Sequence, residues 1–241
     1  MTDVHPAATV LLLREDDGPA GFSVFMVRRS LSASFMPGAY VFPGGRVDAA
    51  DRQGSVDLPD EALLRRFSGA LSLEDARAHL VAGARETLEE ALIALPDPSY
   101  LRTWARWITP EAERKRFDAW FLVGRVPEGV EPGHDMAEVV ASAWVDPKAA
   151  IEGYADNDLL LAPPTWHTLW DLSRWSSIDA LLEEAATRVI QPVLPRFEEV
   201  DGAMAILLPG DPAYPSERPV DPEGPTRFVV GAGGRWWGIQ G

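Results

Sequence analysis

Residues 83–95 read "GARETLEEALIAL", and this stretch combines a helical pattern with a dense group of acids. Its apolar residues recur three and four positions apart, which indicates an amphipathic helix. Glu86 and Glu90 are four positions apart, so a helix places their carboxylates on one face, where they repel; Glu89 borders the same face. Arg85 is the single cation of the stretch. The sequence therefore concentrates negative charge where a stable helix would avoid it.

A solvent-exposed face is the ordinary reason for charges on a helix, and it stays one interpretation here. Three observations favour a functional site. Glu89 and Glu90 fall in the last turns, at the negative end of the helix dipole. No lysine is interleaved with the acids. A strand and the turn Gly44-Gly45 precede the helix, and paired glycines let a backbone approach a ligand closely. Clustered carboxylates of this kind suit a hard divalent cation that bridges to phosphate oxygens.

The whole chain narrows the class of protein. It has 241 residues, of which 46% are hydrophobic, enough for one large core. A formal net charge of −15 argues against binding nucleic acid or an anionic membrane. Absence of cysteine excludes disulfides, thiol nucleophiles and Cys-ligated zinc. The apolar run "AATVLLL" near the N-terminus is too short to span a membrane. A cytoplasmic protein is expected. An anionic ligand can bind only where positive charge locally reverses the negative electrostatic potential of the protein.

Outward from the acidic stretch, strand and helix patterns alternate. The acidic helix is predicted to begin at Ser72, with Asp75 completing a capping box. Strands are predicted over 7–14, 22–28, 39–42, 116–126 and 138–145. Helical segments are predicted over 61–71, around Trp104 and Trp107, and over 165–188 with a break near "WSSID"; strands and loops follow from 189. Mixed elements in this order predict an α/β sandwich.

Two segments together resemble the signature of Nudix hydrolases, G-x5-E-x7-R-E-U-x-E-E-x-G-U, in which U is a bulky apolar residue. They are "GGRVDAAD" and "ARETLEEALI". The four charged residues of 85–90 match the R-E-x-x-E-E core position by position. Gly45 matches the opening glycine, and Asp51 falls where the family has its first acid. Arg85 follows Asp51 by 34 positions, against 8 in the signature, so about 26 residues are inserted. Leu92 replaces the glycine that ends the helix, which predicts that the helix continues to Pro96.

A second, less specific resemblance covers "FMVRRSLSASFMPGAYVFPGG". Its spacing is similar to the motif of coenzyme A diphosphatases within this superfamily. The matching positions are Arg29, Gly38, Phe42, Gly44 and Gly45, whereas the motif's more distinctive positions differ at Ala33, Ser34, Met36 and Ala39. The long insertion, "RFDAWFLV", "PPTWHTL" and "LLPGDPAY" resemble the peroxisomal acyl-coenzyme A diphosphatase branch and its bacterial relatives.

The resemblance implies a Nudix-type α/β/α sandwich with a central mixed sheet, an inserted helical loop and a C-terminal appendage of helices, strands and loops. We expect one domain over 1–241, with the insertion at 52–71 and the appendage at 150–241. Glu86, Glu89 and Glu90 are implied as ligands of Mg²⁺ or Mn²⁺. Arg85 is expected to orient a glutamate, since it reaches Glu89 at i+4. The residues implied for catalysis are Arg85, Glu89 and Glu138, and those for substrate binding are Arg29, Phe42, Gly44 and Gly45.

The implied reaction is hydrolysis of a nucleoside diphosphate linked to another moiety. Coenzyme A or acyl-coenzyme A is the favoured substrate, and ADP-ribose or a dinucleotide is the alternative. A Nudix-fold module that binds a ligand without hydrolysing it is the competing class of function. The expected partner is a small molecule rather than nucleic acid or membrane, and the sequence leaves a homodimer open.

Other motifs give weaker signals. The glycine-rich "GAGGRWWG" at 231–238 opens no helix, unlike a phosphate-binding loop. None of the histidines has the spacing of a zinc pair on one helix, and they are interpreted as surface or core residues: His5, His79, His134 and His167. Three tryptophans either fill the core or stack on an adenine: Trp104, Trp107 and Trp166.

Overall fold

The structure is a computed structural model. It describes residues 3–32, 36–130, 139–154, 159–200, 202–214, 224–231 and 235–240. In this part of the chain no helix combines the length and the apolar composition that crossing a bilayer requires.

A central mixed sheet of eight strands carries the fold. Its strands are Val4–Glu15 (β1), Phe22–Arg29 (β2), Tyr40–Val41 (β3), Gly44–Arg46 (β4), Arg102–Ile108 (β5), Arg116–Arg125 (β6), Val139–Val145 (β7) and Pro192–Val193 (β8). The order is β3-β2-β1-β6-β5-β8, while β4 pairs with β1 and β7 with β2. The pairs β1–β6 and β5–β8 are parallel, and the other pairs are antiparallel.

The central strand β1 is apolar on both faces, because both faces of the sheet are covered. Val10 and Leu12 belong to one buried cluster, and Leu11 and Leu13 to another on the opposite face. The helices are Asp60–Arg66 (α1), Leu73–Ala91 (α2), Pro147–Glu152 (α3), Pro163–Ser173 (α4) and Ile178–Thr187 (α5). Buried residues of α1 and α2 join the first cluster, whereas those of α3, α4 and α5 join the second. The predicted α/β/α sandwich is thereby confirmed.

A second, antiparallel sheet of four strands follows the helices. Its strands are Arg196–Val200 (β9), Ala203–Leu207 (β10), Arg227–Val230 (β11) and Trp236–Ile239 (β12), in the order β12-β11-β10-β9. Phe228 meets Trp166 of α4 edge to face, with ring centroids 5.6 Å apart, and both belong to the cluster that covers one face of the large sheet. The two sheets thus contribute to one buried cluster, and the single domain over 1–241, with its insertion at 52–71 and its appendage at 150–241, stays a prediction.

The acidic helix begins where it was predicted and ends earlier. The Ser72 hydroxyl accepts a hydrogen bond from the Asp75 N–H (3.1 Å) and donates one to the Asp75 carboxylate (2.8 Å). The helix then runs from Leu73 to Ala91, and the prediction that it continues to Pro96 is wrong. Leu92 adopts the left-handed conformation (φ 55°) and caps the helix, its N–H donating to the Leu88 carbonyl. The turn that a glycine makes in the Nudix signature is therefore formed here by leucine.

Replacing Leu92 by glycine is expected to stabilise the protein. A side chain in left-handed backbone costs about 1–2 kcal/mol, and the glycine's greater freedom in the unfolded chain offsets part of the gain. Leu92 is 57% exposed, so little buried surface is lost. We expect a net gain of about 0.5–1 kcal/mol, measured by urea unfolding. Leu92→Ala is the control, since it trims the side chain but keeps Cβ. An equal gain in the alanine variant would contradict backbone strain as the cause.

The segment around Trp104 and Trp107 is strand β5, so its assignment as a helix is wrong. A β-bulge is the reason. Thr103 pairs with Leu122 and Ala105 with Phe121, which leaves Trp104 as an extra residue. The bulge shifts the alternation of side chains, and the two tryptophans, three positions apart, are buried in the same cluster. A spacing of three is also a helical spacing, so the pattern was ambiguous.

Candidate active site

The paired glycines lie in the short edge strand β4, where each is packed against a different neighbour. β4 pairs only with β1 among the described strands, with Ala8 opposite Gly45 and Thr9 opposite Gly44. A Cβ on Gly44 would lie 2.5 Å from the Ala8 carbonyl oxygen, so a side chain there collides with backbone. A Cβ on Gly45 would lie 2.6 Å from Oε2 of Glu86. The absence of a side chain at Gly45 thus admits a carboxylate from helix α2 against the strand.

Glu90 joins the same helix to the same strand. Its Oε2 accepts a hydrogen bond from the Gly44 N–H at 3.0 Å. Glu86 and Glu90 are one helical turn apart and therefore meet β4 at two successive glycines. The predicted position of the acidic face beside Gly44-Gly45 agrees with this geometry.

Arg85 is the centre of an ion-pair network that includes the remaining acids. Its Nη1 donates to Glu86 Oε1 (2.9 Å) and to Glu89 Oε2 (3.0 Å). Its Nε and Nη2 make a bidentate contact with Asp51, both at 3.0 Å, and Nη2 also donates to the Arg46 carbonyl at 2.9 Å. Arg85 therefore orients two glutamates of its own helix and fixes the loop after β4. Bidentate contact holds the guanidinium in one orientation.

Asp51 is a residue of this network that the predicted site did not include. Only 2% of its side chain is exposed, and its Oδ2 also accepts the Asp48 N–H at 2.7 Å. It was matched to the first acid of the Nudix signature, which was the available signal. The insertion separates Asp51 from Arg85 in sequence, yet the fold places the two in direct contact.

The inserted segment forms part of the core around the acidic helix. Helix α1 lies within it, and Phe67 just beyond α1 is fully buried. The Phe67 ring packs edge to face on Trp120 of β6, with centroids 4.9 Å apart, and lies 5.9 Å from His79 of α2. The insertion thus leaves the order of strand, Gly44-Gly45 and helix unchanged. It packs against the N-terminal half of α2.

Burial raises the pKa of Glu86, even though Arg85 acts in the opposite direction. Desolvation is the largest cause, and the nearby charges of Glu89 and Asp48 raise the pKa further. The pKa of Arg85 is raised chiefly by its hydrogen bonds to Asp51. One guanidinium thus serves several carboxylates and does not fully compensate Glu86, the more buried of its two glutamate partners, whose side chain is 14% exposed. An additional positive charge at Glu86 would be stabilised here.

The chemistry of the donor set fits a hard divalent cation. Mg²⁺ and Mn²⁺ both accept glutamate oxygens as ligands. Because Gly45 has no Cβ, the Glu86 carboxylate lies directly beside the backbone of β4. As the side chains lie, the described residues hold no group of three or more acids or histidines in metal-binding geometry. Arg85 currently engages Glu86 and Glu89, so a cation that takes both carboxylates must compete with those ion pairs.

The other predicted substrate-binding and catalytic residues do not join the acidic network among the described residues. Phe42 is 3% exposed and packs edge to face on Phe121, so its side chain belongs to the core below the glycine turn. Arg29 ends β2, where its N–H donates to the Ala39 carbonyl at 2.9 Å and holds the strand that leads to Phe42. Glu138, predicted as a further metal ligand or as the base, lies outside the described residues.

The aromatic and histidine candidates are dispersed. The three tryptophans considered for adenine stacking are at most 5% exposed, which makes them core residues: Trp104, Trp107 and Trp166. His79 lies buried on α2 and contacts the Asp75 carbonyl, and His167 lies on α4 beside Trp107. His5 is on β1, and His134 lies outside the described residues. The described histidines do not form a metal site.

Comparison with known proteins finds similarity over the part of the chain that contains the acidic helix. A family model described as the NUDT19 Nudix domain matches residues 68–175, which include all of α2. The protein "Acyl-coenzyme A diphosphatase NUDT19" of Gallus gallus is 25% identical over 283 aligned residues, which cover 83% of this chain and 75% of that protein. "Putative nudix hydrolase 7" of Caenorhabditis elegans is 28% identical over 211 residues, covering 80% and 70% respectively.

Among solved structures, the fold is similar to that of a NUDIX hydrolase from Alicyclobacillus acidocaldarius. The TM-score is 0.61 at 23% sequence identity, and the match covers 76% of this chain and 97% of that one. This likeness concerns the fold. The family model, the relatives and the signature residues around Gly45 and Arg85 agree: the chain is similar to Nudix hydrolases, and this similarity supports a diphosphatase of the Nudix type.

Proposed function

We propose that this protein hydrolyses the diphosphate of coenzyme A or of an acyl-coenzyme A with the help of Mg²⁺ or Mn²⁺. The observation that carries the proposal is the contact of Glu86 and Glu90 with the Gly44-Gly45 turn, while Arg85 holds Glu86 and Glu89. The choice of substrate is supported by the relative named acyl-coenzyme A diphosphatase and by the spacing from Arg29 to Gly45.

Glu86, Glu89 and Glu90 are the residues that would hold the cation. When bound, it would neutralise diphosphate charge and lower the pKa of an attacking water. Glu86 is suited to this role because its buried carboxylate is incompletely compensated. Arg85 acts as a positioning residue through its five contacts with Asp51, Glu86, Glu89 and the Arg46 carbonyl.

The reaction adds one water across the P–O–P linkage. The oxygen of water joins one phosphorus, the bridging oxygen leaves with the other, and two phosphomonoesters result. With coenzyme A these are 3′,5′-ADP and 4′-phosphopantetheine. Glu138 is proposed as the base that takes the proton of the water, because it directly precedes strand β7 in the sequence, and β7 pairs with β2. A homodimer and a cytoplasmic location stay predictions.

The substrate is tested by comparing kcat/KM for coenzyme A, a medium-chain acyl-coenzyme A and ADP-ribose, with Mg²⁺ and with Mn²⁺. We expect the two coenzyme A compounds to be preferred, and mass spectrometry to identify 3′,5′-ADP as a product. An ADP-ribose preference of about tenfold, equivalent to roughly 1.4 kcal/mol of transition-state binding, would overturn the substrate but not the chemistry. Binding of these compounds without hydrolysis of any would instead identify a ligand-binding module.

A further inference from the structure

A group of cations lies at the edge of the sheet next to the glycine turn. His5 of β1 pairs with Phe117 of β6, and Ala7, two residues after His5, pairs with Arg46 of β4. Side chains two apart on a strand share a face, so His5, Arg46 and Phe117 lie on the same side of the sheet. Lys115 Nζ lies 5.3 Å from the centroid of the Phe117 ring, a cation–π contact.

A hydrogen bond within this group fixes the state of the histidine. Arg46 Nη2 lies 3.3 Å from His5 Nδ1. A guanidinium can only donate, so Nδ1 is the acceptor and the proton of the neutral ring is on Nε2. The His5 ring also lies against Phe117, with centroids 6.2 Å apart. The group thus presents a guanidinium, an ammonium and an imidazole N–H at one place.

Among the described residues, no carboxylate compensates the cations of this group. Asp and Glu number 37 against 22 Lys and Arg in the chain. Yet over the described ranges neither Arg46 nor Lys115 makes a salt bridge, in contrast to Arg52, Arg85 and Arg125. Adjacent cations without carboxylates repel one another, and an anion placed between them relieves that repulsion. The electrostatic potential at this group is therefore locally positive, in contrast to the negative net charge of the protein.

The position of the group relates it to the diphosphate site. Arg46 directly follows Gly45, and its carbonyl accepts from Arg85. Gly45 faces Glu86 on α2, while the next side chain, Arg46, points to the other face of the sheet, because successive side chains alternate. A diphosphate bound at the edge strand β4 thus lies between the acidic network on one face and the cations on the other.

We propose that Arg46, Lys115 and His5, supported by Phe117, form a subsite for a phosphomonoester on the nucleotide side of the diphosphate. The proposal rests on the proposed function and adds that the protein distinguishes a 3′-phosphorylated nucleotide from one without that phosphate. Arginine and lysine donors bind phosphate by charge-assisted hydrogen bonds, and the imidazole N–H adds a neutral donor. Arg85, the cation of the acidic network, is engaged by carboxylates.

Calorimetric titration of the full chain with 3′,5′-ADP and with AMP tests the subsite without requiring turnover. Wild type is expected to prefer 3′,5′-ADP by about tenfold or more, as charge-assisted hydrogen bonds of this kind confer. Lys115→Gln and Arg46→Gln should each reduce that ratio severalfold. Arg65→Gln on α1 is the matched control, because it removes the same charge from an exposed site. Equal affinities for the two nucleotides, or an unchanged ratio in both subsite variants, would overturn the proposal.

The failure of this proposal is distinguishable from failure of the proposed function. Hydrolysis of coenzyme A and 3′-dephospho-coenzyme A is measured on the same variants. The ratio of the two kcat/KM values should fall in Lys115→Gln and Arg46→Gln and stay constant in Arg65→Gln. If wild type hydrolyses neither compound, the proposed function fails, while the binding ratio for 3′,5′-ADP and AMP still decides the subsite.

Discussion

Glu89→Gln and Glu90→Gln are each expected to lower turnover by at least about a hundredfold, the usual loss when a key charge-stabilising group is removed. Both substitutions keep the shape of the side chain and remove the charge that a divalent cation requires. Glutamine at position 90 still accepts the Gly44 N–H through its carbonyl oxygen, so the contact with the glycine turn is retained. Steady-state turnover at saturating metal is the measurement.

The fold is expected to tolerate both changes. Glu89 is 55% exposed, and its contact with Arg85 is a surface ion pair, worth about 0.2–1 kcal/mol. Removing its charge also relieves repulsion on Glu86, which offsets part of this cost. Glu74→Gln, in the first turn of the same helix, is the matched control and should retain wild-type turnover. Near-wild-type turnover in the Glu89 and Glu90 variants would exclude the roles proposed for them.

Arg85→Met is expected to destabilise the protein by about 3 kcal/mol, the low end of the cost of stranding a buried charge. The variant leaves the buried Asp51 carboxylate with the Asp48 N–H but without its bidentate partner. Urea unfolding measures the loss. Arg65→Met, which breaks an exposed pair with Glu61, should change stability by less than about 0.5 kcal/mol.

A double-mutant cycle identifies the cause of that loss. Asp51→Asn removes the charge that Arg85→Met strands, so the double variant should recover part of the stability lost in the single arginine variant. Additive losses in the double variant would show that Arg85 stabilises the fold through its other contacts. Activity should stay low in the double variant, because Glu86 and Glu89 lose their common partner.

The acidic helix shows which parts of the site were predictable from sequence. Its N-terminal capping by Ser72 and the contact of Arg85 with Glu89 follow from local spacing and helix geometry. The approach of the glutamates to Gly44-Gly45 was predicted from the strand–Gly-Gly–helix order and the Nudix resemblance. Contacts between residues distant in sequence needed the fold. The hydrogen bonds from Arg85 to Asp51 join residues on either side of the insertion, and the hydrophobic pattern of the insertion does not predict how it folds. The Nudix signature had nevertheless indicated Asp51 as an acid of the motif.

The errors have physical causes at single residues. Leu92 adopts a conformation that side chains rarely take, so its place at the signature's terminating glycine predicted a longer helix than the one observed. The bulge at Trp104 gives a strand the spacing of a helix. Phe42 was a candidate for substrate binding because of its motif, whereas its burial against Phe121 depends on the sheet that forms around it. Sequence patterns report on residues that are close along the chain. They do not show which face of a strand or helix the rest of the fold buries.

We propose that the acidic face of α2 holds a divalent cation beside Gly44-Gly45 of β4. Titration with Mn²⁺, followed by electron paramagnetic resonance of the free ion, tests it most directly. We predict that wild type and Glu74→Gln bind Mn²⁺ equally well, while Glu86→Gln and Glu90→Gln bind it more weakly by at least about tenfold. Equal Mn²⁺ affinity in all four proteins would contradict the account.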